Sequence, residues 1–172
     1  MDVEHQHSVY AEQHRVLGLI EAGLDQQATS RAVSEMCEMA RREFGVSTAA
    51  VTILNRDSQV IKARAGEDLV DSPRSHSLCH YTIAIQKVLV IPDTLKDPLY
   101  HSHPLVISPP FVRFYAGAPL LFRKGVAFGS FCLVDTAPRR FSIGEEAELF
   151  ALAEMAVSHL VSHLGRRPVK SR

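Results

Sequence analysis

The sequence has few cysteines, no excess of charge of either sign and no long hydrophobic run. Three cysteines are too few for a disulfide framework, and this count fits a reducing compartment. Lysine and arginine together number 19, as do aspartate and glutamate, which argues against a basic nucleic-acid-binding chain. The longest apolar runs, such as 87–91, fall far short of the about 20 residues that span a bilayer. We therefore predict a cytoplasmic protein without a membrane span or a nucleic-acid partner.

The common catalytic motifs are also missing. The sequence contains neither a G-x-S-x-G nucleophile turn nor a G-x-x-x-x-G-K-[ST] phosphate loop. Asp93 and Asp97 lie four residues apart, and they fit the start of a helical turn better than a general acid–base pair, which would need a shared cleft. We predict no catalytic residue from these patterns.

The length and composition are those of one globular domain. The chain has 172 residues, of which 46% are hydrophobic and 22% are charged. We predict a flexible N-terminus over 1–8, one domain over 9–164 and a basic tail over 165–172. The tail carries four basic residues and no acidic ones, so the rest of the chain has an acidic balance.

Hydrophobic periodicity changes along the chain from helical to strand-like and back. The pattern predicts helices over about 9–22 and 28–44, a short helix over 78–86 and a long helix over 143–164. Between them, alternating or β-branched segments predict strands over 48–54, 59–65, 88–91, 111–122 and 126–134. Strands that are joined by tight turns pair antiparallel, so we expect an α+β fold with helices packed on one face of the sheet.

Several residues mark the ends or irregularities of these elements. Gly45 follows the second helix and predicts its end, and Ser142 with Glu145 has the spacing of a helix capping box. Gly117 and Gly129 lie inside the last two strands, where glycine indicates a bulge or a close approach of another chain segment.

Cysteines and histidines are the side chains most able to carry chemistry here. Cys37 and Cys132 lie among apolar residues and are interpreted as core residues. Cys79 lies near the predicted start of a helix, where the helix dipole lowers the pKa of a thiol, so both a reactive and a packed role stay open. His76, Cys79 and His80, with the pair at 101 and 103, have metal-binding chemistry but not the spacing of a zinc finger, and we predict no metal site.

Seven segments in the middle and at the end of the chain form a more specific pattern. The most specific of them are the run at 113–120 and the run from Gly129 to Arg139, which has the pattern G-x-x-C-x-x-D-x-x-P-R. The segments are R-S-H-S-L-C-H-Y-T-I at 74–83, V-L-V-I-P-D at 88–93, D-P at 97–98, P-L-V at 104–106, R-F-Y-A-G-A-P-L at 113–120, G-S-F-C-L-V-D at 129–135 and P-R at 138–139.

This series resembles the GAF domain family, in the branch found in bacterial sensor kinases and diguanylate cyclases. The resemblance runs from about residue 11 to residue 164. It implies a central antiparallel sheet of five or six strands, with N- and C-terminal helices on one face and a loop-covered pocket on the other.

The resemblance also implies a function, a non-catalytic sensory or regulatory module of bacterial signal transduction that binds a small molecule. We expect the ligand between the sheet and the segment 77–110, and the sequence identifies no cofactor. Arg113 suits an anion, although Arg113 and Asp93 could equally hold the loop in place. The predicted ligand-binding residues are Ser77, Cys79, Ile83, Asp93, Tyr100, Arg113 and Tyr115.

Two alternatives remain open at this point. The first is a homodimer or scaffold module without a ligand that pairs through its terminal helices, with the apolar stripe from Leu149 to Leu164 and the first helix as the contact surface. The second is a redox enzyme similar to the free methionine sulfoxide reductases, with Cys79 as the nucleophile. If 172 residues are the whole gene product, we expect the signal to pass by self-association or through a separate partner such as a kinase or a cyclase.

Overall fold

A computed structural model describes residues 3–24, 30–66, 69–122 and 126–162. The predicted tail at 165–172, Ala28, Leu164 and the turn at 123–125 lie outside the described residues. The elements, in chain order, are α1 (Val3–Glu21), α2 (Arg31–Phe44), β1 (Thr48–Leu54), β2 (Ser58–Ala65), β3 (Ser72–Pro73), a short 3₁₀ helix (Arg74–His76), α3 (Cys79–Ile85), β4 (Leu89–Ile91), α4 (Pro104–Ile107), β5 (Phe114–Phe122), β6 (Val126–Asp135) and α5 (Ile143–Ser162).

The six strands form one antiparallel sheet in the order β3-β2-β1-β6-β5-β4. The β1–β2 and β5–β6 pairs are the two predicted hairpins, and the β1–β6 pair joins them. The predicted α+β class and the antiparallel sheet are confirmed. The two-residue strand β3 and the short helix α4 are too short to give a periodic signal, and the sequence did not predict them.

The helices α1, α2 and α5 contribute to an apolar core on one face of the sheet. Alternate residues of β1 at 49, 51 and 53 face this core, together with the phenylalanines of β5 and β6. The predicted stripe of α5 is buried from Leu149 to Leu160. These residues pack within the protomer, and the homodimer through the terminal helices stays a prediction.

The predicted helix ends are confirmed at two places. Gly45 adopts a φ of 62° and closes α2, with its N–H donating to the carbonyl oxygen of Arg42. At the start of α5, the Glu145 N–H donates to Ser142 Oγ at 3.1 Å, and the Ser142 N–H donates to Glu145 Oε2 at 2.7 Å. By contrast, α1 begins at Val3 rather than at the predicted residue 9.

The second face of the sheet is covered by α3 and by the chain between β4 and β5. This face holds a smaller buried cluster, which includes Cys79 and Ile83 of α3 and Tyr115 and Cys132 of the sheet. None of the helices among the described residues is both long enough and apolar enough to cross a membrane. The sheet thus lies between two layers: an apolar layer formed by α1, α2 and α5, and a thinner, more irregular layer that contains α3.

Candidate functional site

Polar side chains are buried on the face of the sheet that α3 covers. Tyr115 O–H forms a hydrogen bond of 2.7 Å with Thr82 Oγ1 of α3, and its oxygen lies 3.5 Å from Ser130 Oγ. Thr52 Oγ1 donates to the carbonyl oxygen of Ser130 at 3.4 Å. We call Thr52, Thr82, Tyr115 and Ser130 the polar cluster. All four are buried, so their hydrogen bonds to one another replace bonds to water.

The position of the Tyr115 hydroxyl depends on a nearby glycine. A Cβ added at Gly117 would lie 2.7 Å from Thr82 Oγ1 and closer still to Tyr115 O–H. Gly117 thus leaves the space in which the Tyr115 hydroxyl reaches α3. The close neighbours at this position are side chains, whereas the close backbone approach that the sequence predicted occurs at Gly129, next to the backbone of Thr52.

Two cysteines adjoin the polar cluster. Cys79 is only 3% exposed. Burial opposes the ionisation of its thiol, but hydrogen bonds to Cys132, Thr52, Tyr115 and Ser130 lower its pKa. The contact with Cys79 and burial raise the pKa of Cys132 well above its ordinary value, and burial raises that of Tyr115. The hydrogen-bonding groups around Cys79 therefore oppose the effect of its burial.

Five of the seven predicted ligand-binding residues are buried on this side of the sheet. Cys79, Ile83, Tyr100 and Tyr115 belong to one apolar cluster, and Ser77 lies beside it at the start of α3. The Ser77 hydroxyl donates to Gln59 Oε1 of β2. The structure thus brings these residues together, and their role in binding a ligand stays a prediction.

The other two predicted residues make contacts within the covering loop. Arg113 Nη1 donates to the carbonyl oxygens of Val106 and Val112, each at 3.0 Å. The Asp93 carboxylate accepts from the Leu95 N–H at 3.2 Å and lies 3.6 Å from Lys96 Nζ. These contacts match the alternative in which Arg113 and Asp93 hold the loop in place.

Two histidines near α3, His80 and His103, each accept a hydrogen bond within the fold. Within the described ranges, no group of three or more His, Cys, Asp or Glu side chains is placed to hold a metal ion. His103 Nδ1 accepts from the Leu105 N–H at 3.2 Å and thereby caps α4. The His80 ring instead accepts a hydrogen bond from Arg74 Nε at 3.1 Å.

His80 belongs to a charged network that the sequence did not predict. Glu12 of α1 accepts hydrogen bonds from Arg15 Nε at 2.8 Å and from Arg15 Nη2 at 2.7 Å, and it also pairs with Arg74. Arg15 Nη1 donates to the carbonyl oxygen of Leu54 at the end of β1 at 2.7 Å. We call Glu12, Arg15, Arg74 and His80 the clasp, because it joins α1 to β1 and α3.

The spacing of Glu12 and Arg15 was a visible signal for part of the clasp, since side chains three residues apart meet on a helix. The contact with Arg74 joins residues far apart in the chain, so the sequence carried no signal for it.

The clasp changes the pKa of two of its members. Burial would raise the pKa of Glu12, but the hydrogen bonds and charges of Arg15 and Arg74 lower it to about 2. Burial and the charge of Arg74 lower the pKa of His80, so this ring is neutral at pH 7.

An open cleft of about 780 Å³ lies beside the clasp, between α1 and α3. Its walls come from α1, from the β1–β2 turn at Arg56, from Arg74, from α3 and from the start of β6. Ile83 is the only predicted ligand-binding residue that lines this cleft. Volumes of about 300–1,000 Å³ are typical of small-molecule sites.

Comparisons with known proteins agree with the fold. The chain is 35% identical over 136 residues to a cyclic di-GMP phosphodiesterase of Pseudomonas aeruginosa. This match covers 79% of this chain but only 22% of that protein. The free methionine-R-sulfoxide reductase of Neisseria meningitidis superposes with a TM-score of 0.65 at 19% identity, covering 87% of this chain and 89% of the other.

The GAF domain of a phosphoenolpyruvate-protein phosphotransferase from Coxiella burnetii superposes with a TM-score of 0.66 at 12% identity, covering 91% of this chain and 96% of the other. At such low identities these two structures establish the fold alone. The sequence model of the GAF domain matches residues 28–161, which is most of the chain. The chain therefore belongs to the GAF domain family.

Proposed function

We propose that this chain is a non-catalytic sensory module of bacterial signal transduction, which binds a small molecule beneath α3. The observation that carries this proposal is the contrast between the two faces of the sheet. Residues 49, 51 and 53 of β1 and residues 114, 116, 118 and 120 of β5 face the three long helices and are all apolar, whereas the face beneath α3 carries the polar cluster. Buried hydroxyl groups give a site the means to select a ligand by hydrogen bonding.

The layer that covers the polar cluster consists of a seven-residue helix, a four-residue helix and irregular chain rather than long helices. The seven-residue helix, α3, packs against β5 and β6. A ligand beneath α3 thus has to displace it. We therefore propose that α3 moves when a ligand enters and that this movement carries the signal to a partner or to a second copy of the chain.

Binding beneath α3 is tested with the variant Tyr115→Phe in a thermal-shift screen of nucleotides, tetrapyrroles and small organic acids. A ligand at about 100 times its dissociation constant adds about 2.7 kcal/mol to the free energy of unfolding. For a chain of this length, that raises the Tm by about 5–10 °C. We expect the shift in the wild type to be much smaller in Tyr115→Phe, which lacks the hydroxyl that contacts Thr82.

The matched control is Tyr10→Phe, which removes a hydroxyl from an exposed tyrosine of α1 and should keep the full shift. A ligand that shifts wild type and Tyr115→Phe equally contradicts the location beneath α3. A panel in which no compound shifts the wild type contradicts the proposal as a whole.

Self-association is the second candidate function, and the outer face of α1 favours it. Val9, Tyr10, Leu17 and Ile20 are exposed there, although large apolar side chains usually avoid water. The apolar stripe of α5 is already used inside the protomer. A homodimer would therefore form through α1 rather than through that stripe.

A dimer through α1 predicts that Leu17→Glu gives a monomer, because a carboxylate at the centre of the contact would lose its hydration without a partner. Leu17 is 56% exposed, and Leu95 at 53%, in the chain between β4 and α4, offers a matched control outside α1. In size-exclusion chromatography with light scattering, we expect dimers for wild type and Leu95→Glu. A wild type that stays monomeric at every concentration contradicts the dimer.

The redox alternative has less structural support. Cys79 is enclosed by α3 and the sheet, so a methionine sulfoxide could reach its thiol only after α3 has moved. The reductase that superposes on this chain does so at an identity that supports the fold alone. The phosphodiesterase is matched over only a small part of its length, so its activity is not assigned to this chain.

A further inference from the structure

The cleft between α1 and α3 is separate from the polar cluster and has a different chemistry. Three guanidinium groups line it, those of Arg15, Arg56 and Arg74, together with His14 and His80. The carboxylate that lines it is Glu12, which is shared by Arg15 and Arg74. The described lining therefore carries an excess of positive charge.

Two of these arginines have N–H groups that form no hydrogen bond with a described residue. Arg56 is exposed and its guanidinium makes no hydrogen bond with any described residue. Arg74 uses Nε for His80 and Nη1 for Glu12 and the carbonyl oxygens of the β1–β2 turn, which leaves Nη2 unbonded within the described chain. His80 accepts at Nδ1, so its proton lies on Nε2 and is a third available donor.

Arg74 is held in place before any ligand arrives. It is fixed by four bonds, to Glu12, to His80 and to the carbonyl oxygens of Asn55 and Arg56. A cation that is already ordered loses little conformational entropy on binding. The side chain therefore presents its free edge as a preformed anion contact.

Most of the remaining lining is apolar, and Ser8 and Gln86 are its other polar residues. Ala11 of α1, Ile83 and Ala84 of α3 and Ala127 of β6 form the walls beside the cations. A ligand that fills the cleft therefore combines an anionic head with an apolar or aromatic body. A phosphate monoester suits the head better than a carboxylate does, because it carries a charge of about −1.5 to −2 and three acceptor oxygens for two guanidiniums.

We propose that the cleft between α1 and α3 is a binding site for a phosphate monoester with an apolar or aromatic body, with the phosphate held by Arg56 and Arg74. A bound ligand would contact α1, the β1–β2 turn and α3 together. It would thus strengthen the attachment of α1 that the clasp provides. This site is distinct from the one proposed beneath α3 and does not depend on it.

The test titrates the full chain with phenyl phosphate and follows backbone amides by two-dimensional NMR. Phenyl phosphate carries the proposed head and body, while inorganic phosphate lacks the body and benzoate replaces the phosphate by a carboxylate. We expect saturable shifts at the amides of Arg56, Arg74 and His80 with phenyl phosphate. Inorganic phosphate and benzoate should bind at least tenfold more weakly.

Variants then assign the contact. Arg56→Gln removes an exposed and unbonded cation, so it should fold normally and raise the dissociation constant for phenyl phosphate at least tenfold. Arg42→Gln removes an exposed arginine of α2 that does not line the cleft and should leave the constant unchanged. Tyr115→Phe should also leave it unchanged, which separates this site from the one beneath α3.

Three results would overturn the proposal. The first is the absence of saturable shifts at the three amides. The second is an equal loss of affinity in Arg56→Gln and Arg42→Gln, which would indicate general charge attraction. The third is equal binding of benzoate and phenyl phosphate, which would refute the preference for phosphate.

Discussion

Gly129→Ala is expected to lower the free energy of unfolding by about 3 kcal/mol, at the upper end of the range for overpacked cores. Gly129 lies on β6 opposite Ile53 of β1. An added Cβ would lie 2.9 Å from the carbonyl carbon of Thr52 and closer still to its oxygen. These are backbone atoms of a central strand, so they cannot move without weakening the β1–β6 pairing.

Urea denaturation followed by circular dichroism measures this effect. Gly18→Ala is the matched control, because the Cβ it adds in the last turn of α1 meets no atom within 4 Å. Alanine is the better helix former, so Gly18→Ala should stabilise the protein by about 0.5–1 kcal/mol. If Gly129→Ala were as stable as the wild type, the close approach between β1 and β6 would be refuted.

Glu12→Gln is expected to destabilise the protein by about 2 kcal/mol at pH 7, less than the 3–5 kcal/mol seen for fully buried pairs. The expected loss of stability is smaller because the Glu12 side chain is 33% exposed, so solvent screens its interactions. The cause is Arg15, which is only 7% exposed and would lose its carboxylate partner. Arg74 would lose the same partner, so α1 would be attached less firmly.

The effect of Glu12→Gln should also depend on pH in a defined direction. The pKa of Glu12 is lowered from 4.5 to about 2 in the folded protein, so its carboxylate stabilises the fold fully above about pH 4.5. This contribution is lost as the pH falls from 4.5 towards 2. The stability difference between wild type and variant should therefore be constant from pH 7 to pH 5 and shrink below that.

Glu35→Gln provides the control for a change of charge alone. Glu35 pairs with Arg31 at 2.8 Å on the exposed side of α2, where solvent screens the interaction. This variant should change stability little at any pH in the range. Equal losses in both variants would show that the clasp has no special role.

Much of the fold was predictable because its signals are local. The β-branched and apolar run in β1, the capping box at Ser142 and the glycine that closes α2 each act within a few residues of the chain. The short elements β3 and α4 were not predictable, because they form where neighbouring segments pack and not from their own periodicity.

The candidate site was predictable in composition but not in geometry. The sequence pointed to Cys79 and Tyr115, and the structure shows that their side chains meet beneath α3. It also pointed to Arg113, whose guanidinium contacts carbonyl oxygens of the covering loop. An arginine that binds a ligand and an arginine that holds a loop in place look the same in the sequence. Only the neighbours of the side chain in the folded protein distinguish these two roles.

The sequence by itself determined the class of the domain, the order of its strands and helices along the chain and its membership of a family. Those properties follow from hydrophobic periodicity and from short motifs, which are written in consecutive residues. The tertiary structure decided which polar side chains face one another. Glu12 and Arg74 pair across 62 positions of the chain, and only the packing of α1 against the sheet brings them together.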